Sequence, residues 1–302
     1  MSTTRQGLTL GVTAYILWGV FPLYFPLLEP ASAGEILAHR IVWSAGTMLL
    51  AVVLLRRGPA VLALVRDRRA RLRLAPAALV ISLNWVTYVW GVNNGHVVET
   101  ALGYFINPLV TVLMGVVIFG ERLRRTQWLA LSGGAAAVVV LGVQYGAIPW
   151  VSLVLAFSFG TYGLLKKQAN AGAVESLTFE TVLLSPFALL YLVWISTHGV
   201  SDFAQHGSTH ALLLASLGIV TAVPLLCFSA AATRISMTAL GLLQYLGPTI
   251  QFLLGVFWFH EPMPLARFLG FALVWGSLAI FTAEGLRHRR RQLRDAAEAA
   301  AL

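Results

Sequence analysis

Charged residues are scarce in this sequence. They make up 11% of its 302 residues, whereas soluble domains carry roughly 25%. Hydrophobic residues make up 58%, and the mean hydropathy is +0.78. This balance excludes an ordinary water-soluble domain. Acidic residues are especially few, 12 against 21 basic ones, so the sequence offers no obvious carboxylate carrier for sodium or protons.

Cysteine is nearly absent, since Cys227 is the one example in the chain. A disulfide within the chain is therefore excluded, and a lone thiol in an apolar run is most often a packing residue. The sequence also lacks a nucleophile–base constellation, a phosphate loop and a Cys/His metal set. Asp202, His206 and His210 have helical spacing, but they precede an apolar run and are interpreted as loop residues. We therefore predict no catalytic residues, no metal and no cofactor, and no enzyme activity.

Apolar runs of about 20 residues, the length that spans a bilayer, recur from end to end. The first run is longer than a signal-peptide core, so we expect it to be retained. The sequence predicts an all-α polytopic membrane protein with ten transmembrane helices. They lie near 8–28, 35–55, 74–94, 97–119, 126–145, 148–168, 176–197, 209–231, 237–259 and 265–286.

The net charge of +9 could indicate nucleic-acid binding, but the placement of the basic residues favours membrane topology. All except Arg40 and Arg267 fall at the N-terminus, in alternate loops or in the tail. These are Arg5; Arg56, Arg57, Arg66, Arg68, Arg69, Arg71 and Arg73; Arg122, Arg124 and Arg125; Lys166 and Lys167; Arg234; and Arg287, Arg289, Arg290, Arg291 and Arg294. The positive-inside rule then predicts that both termini are cytoplasmic and that the number of spans is even.

The chain contains an internal repeat. With an offset of 140 residues, Pro108 aligns with Pro248, and further pairs follow in register: Gly115 with Gly255, Phe119 with Phe259, and Glu121 with Glu261. An offset of 141 aligns Trp18-Gly19 with Phe159-Gly160. Because each copy has five spans, the second would cross the membrane in the opposite direction. Inverted repeats of this kind are a feature of secondary transporters, whose site lies at the repeat interface.

The repeated prolines share a helical face with polar residues. In the fourth span this face holds Tyr104, Pro108, Thr111 and Gly115, and in the ninth it holds Gln244, Pro248, Gln251 and Gly255. Irregular backbone at membrane depth is tolerated where protein buries it or where it lines a watery cavity. We therefore expect both faces to line one cavity. The alternative is a packing face, with glycine for close approach and proline for a kink.

Several stretches resemble the RarD proteins, of the EamA family in the drug/metabolite transporter superfamily. They are "YILWGVFPLYF", "EILAHRIVWS", "NWVTYVWGVNN", "ALGYFINPLV", "GERL" and "VTAVPLLCFSAAATRISMTALGLLQYLGPT". The resemblance implies two inverted five-helix repeats, at 7–145 and 148–286, followed by a basic cytoplasmic tail at 287–302. It also implies small-molecule movement across a bacterial inner membrane. One departure is Pro26, where a lysine is expected in many members.

Polar and aromatic residues inside the spans are the candidate site, because buried polar groups in a membrane are costly unless partnered. Asn84 and Tyr88 share a helical face with Trp85 beside them, although interhelical bonding and aromatic packing would explain them equally. The predicted substrate-binding residues are Trp18, Arg40, Asn84, Trp85, Tyr88, Tyr104, Asn107, Thr111, Tyr162, Gln244, Tyr245 and Gln251. Pro108 and Pro248 are the predicted helix breaks.

Arg40 has three open interpretations. It lies about 7 Å along the helix from its start, so its side chain could reach the interface. It could instead pair with Glu99, or it could clamp a carboxylate of the substrate. His39 is expected at the interface. Glu180, the repeat mate of Arg40, is expected to meet Lys166 or Lys167.

Together these observations predict a secondary transporter that exports small metabolites or drug-like molecules by alternating access. The alternative is a non-transporting scaffold or sensor with a transporter-like fold. The expected partners are a small-molecule substrate and membrane lipid, with no nucleic acid. A homodimer is left open.

Overall fold

The structure is a computed structural model that describes residues 3–119, 123–145, 148–232, 234–235 and 243–299. Within these ranges every regular element is helical and no strand occurs, as the sequence predicts for an all-α protein. Glu121 and Arg122 lie outside the described residues, as do 236–242.

The first half of the chain forms seven α-helices. They are α1 (Thr3–Gly19), α2 (Phe21–Tyr24), α3 (Ala33–Leu54), α4 (Gly58–Arg66), α5 (Arg68–Asn93), α6 (Val97–Phe119) and α7 (Arg125–Tyr145), with a 3-10 turn at Phe25–Leu28 after α2. Helix α4, which lies in the basic loop after α3, was not predicted from the sequence. It is too short to span a bilayer and contains no buried residue.

The described part of the second half contributes five α-helices. They are α8 (Trp150–Ala169), α9 (Ala173–Thr197), α10 (Gly207–Ala232), α11 (Leu246–Leu253) and α12 (Leu265–Ala299). A π-helical turn at Leu254–Trp258 follows α11. Helix α12 continues beyond the predicted tenth span into the basic tail.

Six of the described helices are long and apolar enough to cross a bilayer, and α1 with the bent segment after it makes a seventh candidate. Two shorter apolar helices, Trp150–Lys166 and Leu246–Trp258, coincide with the predicted sixth and ninth spans. The chain is therefore a polytopic helical membrane protein. The count of ten spans stays a prediction.

Local sequence signals explain where several helices begin and end. The Ser32 hydroxyl accepts the Glu35 N–H at 3.2 Å and caps α3, and Asp67 caps α5 through the Arg69 N–H at 2.8 Å. Pro22 and Pro26 stand in the first turns of short helices, where their missing N–H groups would have no partner. Asn170, with a φ of 49°, ends α8 in the left-handed conformation that Asn tolerates.

The two predicted helix breaks behave differently. Helix α6 runs continuously through Pro108, so the break predicted there is wrong. A single proline removes one backbone bond, and neighbouring helices can hold the helix together around it. Pro248 lies in the first turn of α11, where a proline interrupts no helical bond.

The helices pack in a regular pattern. Helix α8 packs against α5 and α6, and α1 packs against α10 and α11. Helix α3 packs against α9 and α10, α5 against α9, α6 against α11, and α7 against α12. Buried apolar side chains at one end of the bundle form a group that we term the end cluster. It comprises Phe21, Phe25, Leu28, Ala31, Ile36, Tyr88, Val89, Val92, Val97, Val151, Leu155, Leu214 and Leu217.

Candidate functional site: a central aromatic cavity

A cavity of about 370 Å³ lies between the two halves of the chain. Its wall is formed by helices α1, α2, α3, α5, α6, α8, α9, α10 and α11, together with Gln244 just before α11. The lining residues are Tyr15, Trp18, Phe21, Arg40, Ile81, Asn84, Trp85, Tyr88, Tyr104, Asn107, Phe159, Tyr162, Gly163, Lys166, Ala173, Leu177, Leu225, Leu226, Phe228, Gln244, Gly247, Pro248 and Gln251.

The cavity brings together most of the residues that the sequence selected. Trp18, Arg40, Asn84, Trp85, Tyr88, Tyr104, Asn107, Tyr162, Gln244 and Gln251 line it, and so does Pro248. Thr111, Tyr245 and Pro108 do not. Thr111 lies one helical turn after Asn107 on α6, is exposed, and donates to the Asn107 carbonyl at 3.0 Å. Tyr245 packs against a second buried cluster that joins α6, α7 and α12.

Four aromatic residues of the cavity wall were missed in the sequence: Tyr15, Phe21, Phe159 and Phe228. Tyr15 and Trp18 meet edge to face with ring centres 5.3 Å apart, and Phe228 lies 5.7 Å from Trp18. The repeat carried a usable signal for two of them. An offset of 141 makes Phe159 the mate of Trp18 and Phe21 the mate of Tyr162, and both mates had been selected.

Asn84 ties three helices together at the cavity wall. Its side-chain NH₂ donates to the Leu155 carbonyl at 3.1 Å and to the Ser158 hydroxyl at 3.0 Å, both on α8. Its oxygen accepts the Tyr104 hydroxyl of α6 at 3.1 Å. Asn84 is buried, and these partners satisfy both ends of its amide. The interhelical role considered for Asn84 is therefore present in the structure.

Glu180 lies behind the cavity wall. Its carboxylate accepts Lys166 Nζ at 2.8 Å and the Tyr162 hydroxyl at 3.1 Å. Its predicted pairing with Lys166 is confirmed. Because Lys166 lines the cavity and Glu180 is buried beside it, the pair contributes polar atoms to the wall with little net charge.

Arg40 is buried, with 5% of its surface exposed. Its Nε donates to the Thr221 hydroxyl at 3.0 Å. Its guanidinium carbon lies 4.2 Å from the centre of the Trp85 ring and about 6 Å from the rings of Phe21 and Phe25. The side chain therefore points into the aromatic interior of the bundle, and the interpretation that it reaches the interface is wrong.

Arg40 does not pair with Glu99 either. Glu99 accepts the Val151 N–H at 3.2 Å and lies 3.0 Å from His96, because it faces the start of α8. No acidic side chain among the described residues forms an ion pair with Arg40. Of the three interpretations, the substrate clamp is the one that remains a hypothesis.

The polar residues near the start of α3 and before α10 form a separate group at the end of the bundle. His39 is buried and stacks on Phe203 with ring centres 4.7 Å apart, and its position at the membrane interface stays a prediction. His206 contacts Asp202 at 2.9 Å, whereas His210 bonds the Leu28 carbonyl at 2.9 Å. No set of three potential metal ligands occurs among the described residues.

The sequence model of the EamA-like transporter family matches the chain twice, over residues 5–143 and 147–283. The chain belongs to the EamA-like transporter family. Protein RarD of Streptomyces exfoliatus is 54% identical over 98% of the chain and 94% of its own length. A Bacillus subtilis protein named uncharacterized transporter YojE is 42% identical over 95% of the chain and 97% of its own length.

A solved crystal structure has the same fold. It covers 94% of the chain and 98% of its own, with a TM-score of 0.60 and 20% sequence identity. At that identity the likeness concerns the fold alone. EamA membership places the chain among integral inner-membrane proteins and makes it a membrane transporter.

Proposed function

We propose that this EamA protein is a secondary transporter that exports small metabolites or drug-like molecules across the bacterial inner membrane by alternating access. The observation that carries the proposal is the central cavity, which is walled by helices from both halves of the chain. Cavities with mostly apolar walls and a few placed polar groups are the usual form of small-molecule sites.

The helix packing supports two repeats with ten spans. If the two repeats are equivalent, the corresponding helices are α1 and α8, α3 and α9, α5 and α10, α6 and α11, and α7 and α12. The contact of α8 with α5 then becomes that of α1 with α10, and the contact of α8 with α6 becomes that of α1 with α11. Both members of each pair of contacts occur. The two matches of the family model divide the chain close to the predicted repeats at 7–145 and 148–286.

Contacts between distant loops agree with the proposed topology. Glu261, between α11 and α12, accepts the N–H groups of Val97 and Val98 at the start of α6. Glu35, at the start of α3, accepts the Asp202 N–H before α10. The ten-span arrangement puts both of these contacts on the outer side. On the cytoplasmic side, Arg57 meets Glu175 at 3.3 Å.

In this topology the cavity faces the cytoplasm. Its wall extends to Lys166 and Ala173, at the cytoplasmic ends of α8 and α9. At the other end it meets Phe21 and Tyr88, which belong to the end cluster. Alternating access would open the end cluster and close the cytoplasmic half. Export is the direction that the family resemblance favours.

The function is tested by flux. Metabolite profiles of cells with and without the gene would select candidate substrates, and proteoliposomes would measure their movement. Gly163 faces the cavity, and a Cβ there meets no atom within 4 Å. We expect Gly163→Trp to fill the cavity and abolish flux while leaving the folded protein level unchanged.

Gly276→Trp is the matched control. Gly276 is exposed on α12, away from the cavity, and a Cβ there also meets nothing within 4 Å. This variant should transport normally. Equal flux in both variants would show that substrate does not cross through this cavity. No flux of any selected metabolite by the unmodified protein would favour a scaffold or sensor.

A further inference from the structure

The described residues of the cavity wall carry a net positive charge. Among the described residues that line it, only Arg40 and Lys166 are charged. Lys166 is neutralised by Glu180 at 2.8 Å, whereas Arg40 forms no ion pair with any described acidic residue. The cavity therefore holds one uncompensated positive charge, that of Arg40.

An uncompensated buried charge is costly within a membrane unless it is paired or serves a function. The Trp85 ring offsets part of this cost, since its face lies 4.2 Å from the guanidinium carbon. Thr221 accepts one of the five guanidinium N–H groups, at Nε. The terminal nitrogens carry the remaining donors, in the planar fork that fits a carboxylate.

A neighbouring donor is also unused. The Tyr88 hydroxyl is buried on the cavity wall and has no hydrogen-bond partner among the described residues. Tyr88 and Arg40 flank the same ring, because the Phe25 centre lies 5.8 Å from that of Tyr88 and 6.0 Å from the guanidinium carbon of Arg40. A hydroxyl donor and a guanidinium fork in one cavity wall suit an anionic group, whose oxygens can accept from both.

We propose that the substrate is an organic monoanion whose carboxylate binds Arg40 and Tyr88. This proposal rests on the proposed transport function. Its apolar body lies against the aromatic wall formed by Trp18, Trp85 and Phe159. One net cation balances one negative charge, so a monoanion fits better than a neutral molecule or a dianion.

Binding to the detergent-solubilised full chain tests the proposal without requiring transport. The probes are 3-phenylpropanoate, indole-3-acetate and N-acetylphenylalanine, each measured by calorimetry beside its primary amide. We expect at least one acid to bind about tenfold or more tightly than its amide, as a hydrogen-bonded charge pair requires. Phenyl phosphate, a dianion, should bind more weakly than that acid.

Arg40→Met should remove the preference for acid over amide, and Arg40→Lys should keep part of it because the charge remains without the fork. The control is Arg124→Met, which removes a cation outside the cavity that pairs with Glu284. It should keep the full preference. Equal binding of acids and amides, or an acid preference that survives Arg40→Met, would overturn the proposal. Tighter binding of phenyl phosphate would do the same.

A second measurement needs no ligand. A Gly163→Cys thiol, placed in a Cys227→Ser background, is treated with sulfonatoethyl and trimethylammonioethyl methanethiosulfonates. If Arg40 sets the potential of the cavity, Arg40→Met should lower the ratio of anionic to cationic reaction rates by about threefold or more. An unchanged ratio would contradict the charge assignment even if no probe acid binds.

The two proposals fail differently. If neutral metabolites are transported through the cavity and Arg40→Met transports them equally well, the transport function stands and the anionic substrate does not. If acids bind at Arg40 but no flux occurs in proteoliposomes, the binding site stands and the transport function does not.

Discussion

At the residue scale, Asn84 shows how one polar side chain can serve both packing and the cavity. Its amide joins α5 to α8 and α6 through three hydrogen bonds of 3.0 to 3.1 Å. Hydrogen bonds between membrane helices contribute modest free energies, because the unfolded state in the membrane also finds partners. Asn84 therefore stabilises the fold through the number of its hydrogen bonds, and it also fixes the position of the Tyr104 hydroxyl.

We predict that Asn84→Ala lowers the free energy of unfolding by about 1–2 kcal/mol, since several interhelical bonds are lost together. Ser82→Ala is the control, because among the described residues Ser82 donates only to the Ala78 carbonyl of its own helix, at 2.8 Å. It should change stability by less than about 0.5 kcal/mol. Thermal unfolding of the purified variants measures both. Equal losses would mean that the Asn84 network contributes nothing beyond an intrahelical bond.

At the scale of the elements, close approach between helices depends on small residues. Gly103 of α6 faces α8, where a Cβ would lie 2.8 Å from the Ser152 carbonyl oxygen and 2.9 Å from Leu155 Cβ. Backbone atoms cannot move aside as a flexible side chain can. In membranes such small residues let helices approach, because packing between helices replaces the hydrophobic driving force.

We predict that Gly103→Ala destabilises the fold by about 1–3 kcal/mol, because the added methyl group forces α6 and α8 apart. Gly46→Ala is the matched control on α3, where a Cβ meets nothing within 4 Å. It should be neutral or stabilising by up to about 1 kcal/mol, the difference in helix propensity. Unfolding in detergent compares the two, and a Gly103→Ala variant as stable as Gly46→Ala would rule out the close contact.

The start of α6 depends on a residue from the far end of the chain. Glu261 accepts the Val98 N–H at 3.1 Å and the Val97 N–H, and it lies 4.0 Å from Arg267. Burial raises the pKa of Glu261, and the N–H groups of Val98 and Val97 partly oppose this, followed by the charges of Arg267 and His96. Its protonated form is therefore favoured by the fold more than by the unfolded chain.

We predict that the Glu261 contribution to stability is fully present below its ordinary pKa of 4.5 and is lost as pH rises through the raised pKa. The unfolding temperature of the unmodified protein, relative to Glu261→Gln, should fall over that pH range. The comparison removes the effect of other groups that titrate. If the difference between the two proteins rose with pH, the pKa of Glu261 would be lowered in the folded state instead.

At the scale of the whole molecule, the proposed topology places the loop contacts of Glu261 and Glu35 on the outer side of the membrane. It places the contact between Arg57 and Glu175 on the cytoplasmic side. Labelling tests it directly in a Cys227→Ser background. Arg71→Cys and Arg287→Cys replace exposed residues on the predicted cytoplasmic side. Ile148→Cys and Gln205→Cys replace exposed residues on the predicted outer side.

We predict that an impermeant thiol reagent labels positions 148 and 205 in intact cells, and positions 71 and 287 only after the membrane is opened. Labelling of 71 and 205 from the same side would exclude the inverted repeat. Position 148 separates α7 from α8, so its labelling on the cytoplasmic side would exclude five spans in the first half.

Composition and hydrophobic periodicity were sufficient to predict the fold class. A helix in lipid must satisfy its backbone bonds internally, so long apolar runs leave few alternatives to α-helices. The repeat at an offset of 140 also led to four of the cavity residues, Tyr104, Gln244, Pro248 and Gln251, because related helices present related faces to the same interface. Thr111 was selected as the repeat mate of Gln251. Gln251 lines the cavity, whereas Thr111 does not line it and is exposed, because the helices packed around each position differ.

The sequence alone determined that this is a helical membrane protein of the EamA type, because apolar length and motif order are properties of the chain itself. The tertiary structure decided the environment of Arg40. Sequence left three options, since the direction of a long side chain depends on which helices surround it. Only packing placed Trp85 and Thr221 around the guanidinium and turned Glu99 toward α8, leaving that charge inside the cavity.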